Sequence, residues 1–272
     1  MAGSTSMLGR VWQRPFVWKL NQRFAKYGYM ALTRMISRED ELFLNFAYEE
    51  DPPMGIKLEP ADERDRGCIQ LYHATAAQVD LTGKKVLEVG CGHGGGASYI
   101  KRYLGPASYT ALDLNPSGIA FCKKRHKLPG LDFVQGDAQD LPFPDQSFDA
   151  VVNVESANYY PDQARFFDEV ARVLRPGGHF LYTDCQPAAG VEVWEATLAN
   201  APLRKLSQRD INAETMRGME QYSQHWLDTI ERRAPSFLRN SLRDGAPVAG
   251  SKHYQGLQDG TTTYRIHLFV KD

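Results

Sequence analysis

Apolar positions in this chain follow two rhythms, and the change between them marks out its parts. From residue 84 to 185, short apolar runs alternate with stretches in which apolar residues recur every three or four positions. Val86-Leu87-Glu88-Val89 predicts a strand entering a glycine-rich turn, and Ser108-Tyr109-Thr110-Ala111-Leu112 a second strand ending at Asp113. A helix is expected after Asn115, whose side chain can cap it, stopping near Pro129-Gly130. Leu131 to Val134 reads as a third strand and Phe148 to Val154 as a fourth. Phe166, Phe167, Val170, Val173 and Leu174 share one helix face; Pro176-Gly177-Gly178 ends that helix, and His179 to Tyr182 opens a fifth strand. Strands alternating with helices imply an α/β fold, a doubly wound and mostly parallel sheet with helices on both faces.

The flanks carry the other rhythm. Residues 1–80 read as a helical, irregular segment or lid, and 81–272 as the main domain with a helical insertion near 190–245. Tyr264 to Val270 alternates as a strand, with Gln258-Asp259-Gly260 as the turn before it, so the chain is expected to end in a hairpin. Near the start, Arg10, Arg14, Lys19, Arg23, Lys26, Arg34 and Arg38 precede the first acidic residue, Glu39, while Phe16, Leu20, Phe24, Tyr27, Ala31 and Met35 lie at helical spacing. Two readings stay open: a surface helix packed on the core, or peripheral contact of residues 10–38 with an anionic membrane or a lipid substrate.

Composition narrows the class. A net charge of -1 gives no footing for nucleic acid, and 42% hydrophobic with 24% charged residues is ordinary for a soluble globular protein. Cys68, Cys91, Cys122 and Cys185 are scattered without metal-ligand spacing, so a reducing, cytoplasmic setting and no metal are expected. No apolar run is long enough to span a bilayer and no leader pattern opens the chain, which leaves the cytoplasm or the inner membrane face.

The chemistry gathers at strand ends. Gly90-Cys91-Gly92-His93-Gly94-Gly95 matches G-x-G-x-x-G between a strand and a helix, where backbone can approach a ligand and a helix N-terminus offers N–H groups. Asp113, at the end of the second strand, can accept both hydroxyls of a ribose, as either NAD or S-adenosylmethionine requires. Gly136-Asp137-Ala138 follows the third strand, where a carboxylate can take the adenine amino group.

Leu141 to Asp149 and Arg172-Val173-Leu174-Arg175-Pro176-Gly177-Gly178 complete an ordered set over about residues 84–185 that resembles the class I S-adenosylmethionine-dependent methyltransferases. The resemblance implies a seven-stranded sheet with an antiparallel last strand. It places Gly90 and Gly92 near the methionine part of the cofactor, Glu88 at its amino group, Asp113 on the ribose, Leu114 on the adenine face, and Asp137 with Ala138 at the adenine edge. Asp137 and the Pro176-Gly177-Gly178 turn disfavour a nicotinamide dehydrogenase, and the complete nucleoside set leaves a non-catalytic S-adenosylmethionine-binding protein as a minor alternative.

Asn45 to Pro53, Gly92 to Tyr99, Cys122 to Val134, Leu206 to Arg209 and Ile211 to Glu214 are similar to the mycobacterial phthiotriolone/phenolphthiotriolone dimycocerosate methyltransferases and related fatty-acid O-methyltransferases. That implies a long-chain lipid acceptor. The resemblance breaks after the fourth strand, where those enzymes carry Ser-His-x-Tyr-Pro and this chain has Asn158 at the histidine position.

A neutral hydroxyl must lose a proton to accept a methyl group, whereas a carboxylate is already ionised and needs only orientation, which asparagine can supply. The expected reaction is therefore O-methylation of a fatty-acid carboxylate, with a lipid hydroxyl as the alternative. Asn158, His93, Tyr159 and Tyr160 are the candidate catalytic residues, and Glu155 a group that holds the cofactor or polarises a neighbour. His73, His225 and His253 lie where a lid could form.

Overall fold

The computed structural model describes residues 41–233 and 236–272. Seven strands among them form one sheet in the order β3-β2-β1-β4-β5-β7-β6: β1 (Lys85–Val89), β2 (Ser108–Asp113), β3 (Leu131–Gln135), β4 (Phe148–Val154), β5 (Leu174–Pro187), β6 (Arg204–Asp210) and β7 (Thr262–Val270). The pairs β3–β2, β2–β1, β1–β4 and β4–β5 are parallel, and β7 runs antiparallel to both β5 and β6. The doubly wound architecture and its antiparallel last strand are as expected.

Two apolar layers hold helices to the faces. One face carries α1 (Arg66–Ala76), α2 (Gly95–Tyr103) and α3 (Pro116–Arg125), which bury Ile69, Leu71, Tyr99, Ile100, Ile119 and Cys122 against Val86, Val152 and Leu181. On the other, α4 (Gln163–Val173) and α5 (Ala188–Asn200) bury Phe166, Phe167, Val170, Trp194 and Leu198 against Val151, Phe180 and Tyr182. Alternate residues of each central strand thus enter opposite layers, the period-two consequence of the pleat. Beyond β6, α6 (Asn212–Arg233), α7 (Ser236–Gly245) and α8 (Lys252–Gln258) form a helical cap that joins the first layer through Met219 and Leu257.

Four local expectations need correction. The Asn115 side chain does cap α3, accepting from Ser117 N at 3.1 Å, but the helix ends at Arg125 rather than near Pro129-Gly130. His126 there turns inward, its Nε2 lying 2.9 Å from His93 O. Leu174 belongs to β5, whose first residues include the Pro176-Gly177-Gly178 turn as the β4–β5 register slips between Phe148 and Ala150.

The chain does not end in a local hairpin, because three helices separate β7 from its partner β6. Nor is the region near 190–245 helical throughout: β6 interrupts it, and helices continue to Gln258. Every residue of β6 is exposed, so its sequence shows no alternation. Arg204, Lys205 and Arg209 place charge along this sheet edge, a common protection against edge pairing. The basic stretch at residues 10–38 lies outside the described residues.

Candidate active site

The strand order reverses between β1 and β4, and in open α/β sheets ligands bind outside the carboxyl ends of strands at such a point. The sequence-derived residues converge there. After β1, Gly90 adopts φ +82°, and a Cβ on it would lie 2.2 Å from Ser156 Oγ and 2.8 Å from Tyr160 Oη. Only glycine allows the turn after β1 to press against the turn after β4. Asp113, buried at the end of β2, accepts Gly92 N at 2.9 Å through Oδ2 and Asn115 N at 2.9 Å through Oδ1.

Gly136 N donates to Asp113 O at 3.0 Å, and Gln135 Nε2 to Leu114 O at 3.3 Å, which draws the β3 turn against the end of β2. Asp137 accepts Gln139 N at 3.0 Å, and Ala138 is buried beside it. Gly90, Gly92, Asp113, Leu114, Asp137 and Ala138 therefore line neighbouring strand ends. The set fits an adenosine-type ligand: a glycine turn whose backbone carries no side chain, and a carboxylate fixed by backbone N–H groups that still has lone pairs for two hydroxyls.

Glu88 is placed differently from what its position implied. Its carboxylate is buried in β1 and accepts Tyr72 Oη at 3.0 Å through Oε1 and Tyr109 Oη at 3.1 Å through Oε2. Burial pushes its pKa up to about 7 against the two tyrosine hydrogen bonds. Both oxygens already have protein partners, so Glu88 ties α1 and β2 to β1.

His93 also departs from the expected direction. Its Nδ1 lies 2.7 Å from Glu41 O, its ring packs on Phe121 of α3 at 4.9 Å, and its buried Nε2 has no partner among the described residues. It is not brought to the turn after β4. The N-terminus of α2 is likewise occupied, since Gly95 N donates to Leu42 O at 3.1 Å.

Asn158, Tyr159 and Tyr160 do come together, in the short 3₁₀ turn that follows β4. Tyr160 Oη contacts Ser156 Oγ at 2.9 Å and Asn153 Nδ2 at 3.3 Å, under the glycine turn. Tyr159 is half exposed at the mouth. Burial raises the pKa of both phenols, which keeps them protonated at neutral pH. Asn158 N donates to Asp184 Oδ2 at 2.9 Å, its Nδ2 lies 3.8 Å from Cys185 Sγ, and its buried Oδ1 has no partner among the described residues.

Three features of the site carry no periodic signal in the sequence. The extended segment 41–49 crosses the strand ends like a strap: Glu41 O meets His93, Leu42 O meets Gly95 N, and Phe46 N donates to Glu155 Oε1 at 2.8 Å. Glu155, just past β4 with φ +50°, also receives the Tyr264 hydroxyl from β7. Asp184, on β5, gathers Asn158 N, Cys185 N and the Tyr182 hydroxyl. Burial pushes Glu155 up to about 8 and Asp184 up to about 7.

Of the histidines, His73 Nδ1 pairs with Tyr99 Oη at 2.7 Å within the helical layer. His253 of α8 lies 5.4 Å from the Phe46 ring. The side chain of His225 is outside those described.

A family model described as "Methyltransferase domain" matches residues 87–182. The whole chain is 53% identical over 271 residues to the phthiotriol/phenolphthiotriol dimycocerosates methyltransferase of Mycobacterium tuberculosis, spanning 100% of this chain and 96% of the relative. It is 55% identical over 258 residues to the fatty-acid O-methyltransferase of Mycolicibacterium smegmatis, spanning 93% of each. The chain belongs to this methyltransferase family.

As a methyltransferase, it uses S-adenosylmethionine as methyl donor. Its fold matches the crystal structure of the [4+2]-cyclase SpnF with a TM-score of 0.68 at 20% identity, over 92% of this chain and 96% of that one. It also matches a geranyl diphosphate methyltransferase in complex with SAM, with a TM-score of 0.58 at 15% identity over 85% and 99% of the two chains. At such identities the likeness is one of fold. Closely similar scaffolds bearing different chemistries put the reaction in the local site.

Proposed function

We propose that this methyltransferase O-methylates a long-chain lipid, with a fatty-acid carboxylate as acceptor and a methyl ester as product. The observation that carries the reading is the Asn158 carboxamide at the end of β4, whose Nδ2 has only a 3.8 Å contact with Cys185 Sγ among the described residues and so keeps a donor for an anionic oxygen. Asparagine cannot take a proton, but its amide can orient an acceptor oxygen. The partly buried, protonated Tyr160 and the inward-turned His93 supply no base beside it. A carboxylate needs none, since it is ionised throughout the neutral range.

The cofactor, when bound, supplies an activated methyl group on sulfonium. The protein's part is alignment: acceptor oxygen, methyl carbon and sulfur must lie in line. In the proposed arrangement Gly90 and Gly92 let backbone approach the methionine portion and Asp113 accepts the ribose hydroxyls. Leu114 packs on the adenine, Asp137 and Ala138 meet its edge, and Glu88 acts through the Tyr72 and Tyr109 hydroxyls it holds. Asn158, Tyr159 and Tyr160 border the acceptor.

The names of the similar M. smegmatis and M. tuberculosis enzymes support a lipid acceptor and leave a hydroxyl-bearing complex lipid as the second reading. The test is methyl transfer from labelled S-adenosylmethionine to a long-chain fatty acid and to the matched alcohol. Labelled ester supports the carboxylate reading, and labelled ether alone overturns it.

The strap at 41–49 supports a covering role for the part of residues 1–80 that precedes α1, whereas α1 itself is a buried layer of the 81–272 domain. The stretch at 10–38 is proposed to touch membrane from a cytoplasmic location; among the described residues no helix is long and apolar enough to cross a bilayer. Liposome sedimentation with and without residues 1–38 checks this, and equal partitioning would remove it.

A further inference from the structure

The Glu155 and Asp184 carboxyls lie close to one another at the ends of β4 and β5, and a carboxylate substrate beside them would be a third. Three anions cannot share a site of low dielectric, so at least one protein carboxyl must be neutral when the acceptor binds. Asp184 has both oxygens engaged, by Asn158 N, Cys185 N and the Tyr182 hydroxyl, and thereby anchors the turn after β4. Glu155 differs. Its Oε1 takes Phe46 N and the Tyr264 hydroxyl, while Oε2 makes no hydrogen bond among the described residues.

Its backbone sits at φ +50°, a left-handed conformation that is strained for a non-glycine residue and that concentrates at functional sites. Three remote segments converge on this one side chain: the strap, β7 and the end of β4.

We infer that Glu155 binds the acceptor: as a neutral acid whose Oε1 is fixed by the strap and β7, it donates a hydrogen bond from its free Oε2 to the lipid carboxylate, beside the Asn158 amide. The inference rests on the carboxylate reading above. In the transfer, one carboxylate oxygen forms the new bond to the methyl carbon as the carbon–sulfur bond breaks and its electron pair stays on sulfur. No proton leaves the acceptor, and Glu155 keeps its own.

The groups around it act in both directions: the Asp184 carboxylate opposes ionisation, and the hydrogen bonds from Tyr264 and Phe46 N favour it. Asp184 and Cys185 face it from β5, Tyr264 from β7, Tyr159 from the turn, and Cys68 and Tyr72 from α1; His253 of α8 stands behind Phe46. None of the side chains named on β5, β7, the turn and α1 is a cation. Burial first, then the Asp184 carboxylate, push Glu155 up to about 8.

The experiment is a pH profile of kcat/KM for ester formation between pH 6 and 9 by the full-length protein, Glu155→Gln and Glu155→Ala, with S-adenosylmethionine affinity and Tm measured on each. The wild type should lose activity above about pH 8, by roughly tenfold per pH unit, as one proton is released. Glu155→Gln keeps a neutral donor, so it should stay within a few-fold of wild type at pH 7 and lose the limb near pH 8. Glu155→Ala should lose tenfold or more, mainly through KM, with cofactor affinity unchanged.

A limb near pH 8 that persists in Glu155→Gln, a Glu155→Ala variant as active as wild type, or loss of ester formation by Glu155→Gln at every pH would each overturn the inference while leaving the carboxylate reading intact. Ether as the wild type's only product sinks that reading before any variant is made. Should Glu155→Ala not fold, the Glu155→Gln profile decides alone.

Discussion

The hydroxyl of Tyr72, on a helix before the first strand, lies 3.0 Å from Glu88 Oε1 in the middle of the sheet. Gly96 makes the approach possible, because a Cβ there would fall 1.9 Å from the Tyr72 ring. Helix α1 is thus joined to β1 by a buried hydrogen bond and to α2 by close packing, under the glycine turn.

Tyr72→Phe should therefore destabilise the protein by about 1–2 kcal/mol, the cost of leaving a buried carboxyl oxygen without its donor. The denaturation midpoint should fall at unchanged slope. An unchanged midpoint would show that Tyr109 alone satisfies Glu88.

Asp113→Ala should weaken S-adenosylmethionine binding at least tenfold by calorimetry, since charge-assisted hydrogen bonds are worth about 1.5–3 kcal/mol. The same change strips the Gly92 and Asn115 N–H groups of their acceptor, so Tm should fall as well. Cofactor affinity equal to that of wild type would place the ribose elsewhere.

Gly90→Ala combines a left-handed backbone with a 2.2 Å clash against Ser156 Oγ. Cofactor binding should fall by roughly tenfold or more, the backbone term alone being about 1–2 kcal/mol. Adding Ser156→Gly should restore only part, because it relieves the clash and not the φ. Full recovery would mean that the backbone conformation costs nothing.

Asn158→His returns a base to the turn after β4. Methylation of a long-chain alcohol relative to the matched acid should rise about tenfold or more, the low end of what general-base catalysis supplies. An unchanged ratio of ether to ester would remove position 158 from acceptor choice.

Stability should decline as pH rises from 6.5 to 8. Glu88 and Asp184 are held up at about 7 and Glu155 at about 8, with Asp113 also raised, chiefly by burial. A raised carboxyl binds more protons folded than unfolded, so its stabilisation is complete below the ordinary carboxylate value and is lost through the raised one. His73, His93, His126, His179 and His267 are lowered by burial and act in the opposite sense, but only below their ordinary value of 6.5. A Tm that falls by about 3 °C or more over this window is expected, and a flat or rising Tm would contradict the assignment.

The sequence by itself determined what local pattern can encode. Strands β1 to β5 and β7 announce themselves as apolar runs, Asn115 as a helix cap, and the nucleoside residues as turns directly after strands. Each signal lies within a few residues of the element it describes, because burial periodicity and turn chemistry are properties of short segments. Tertiary structure decided the rest. Strand β6 is exposed on both faces at the sheet edge, so nothing in its composition marks it as a strand. His93 sits inside a legible motif, yet its direction is set by Glu41 O and Phe121. Glu155 meets Tyr264 across 109 residues and Phe46 across another 109, contacts that exist only because the sheet order sets β4 two strands from β7 and the strap crosses both. A residue's partners at that range depend on topology, and topology is fixed by the packing of whole layers rather than by any neighbouring residue.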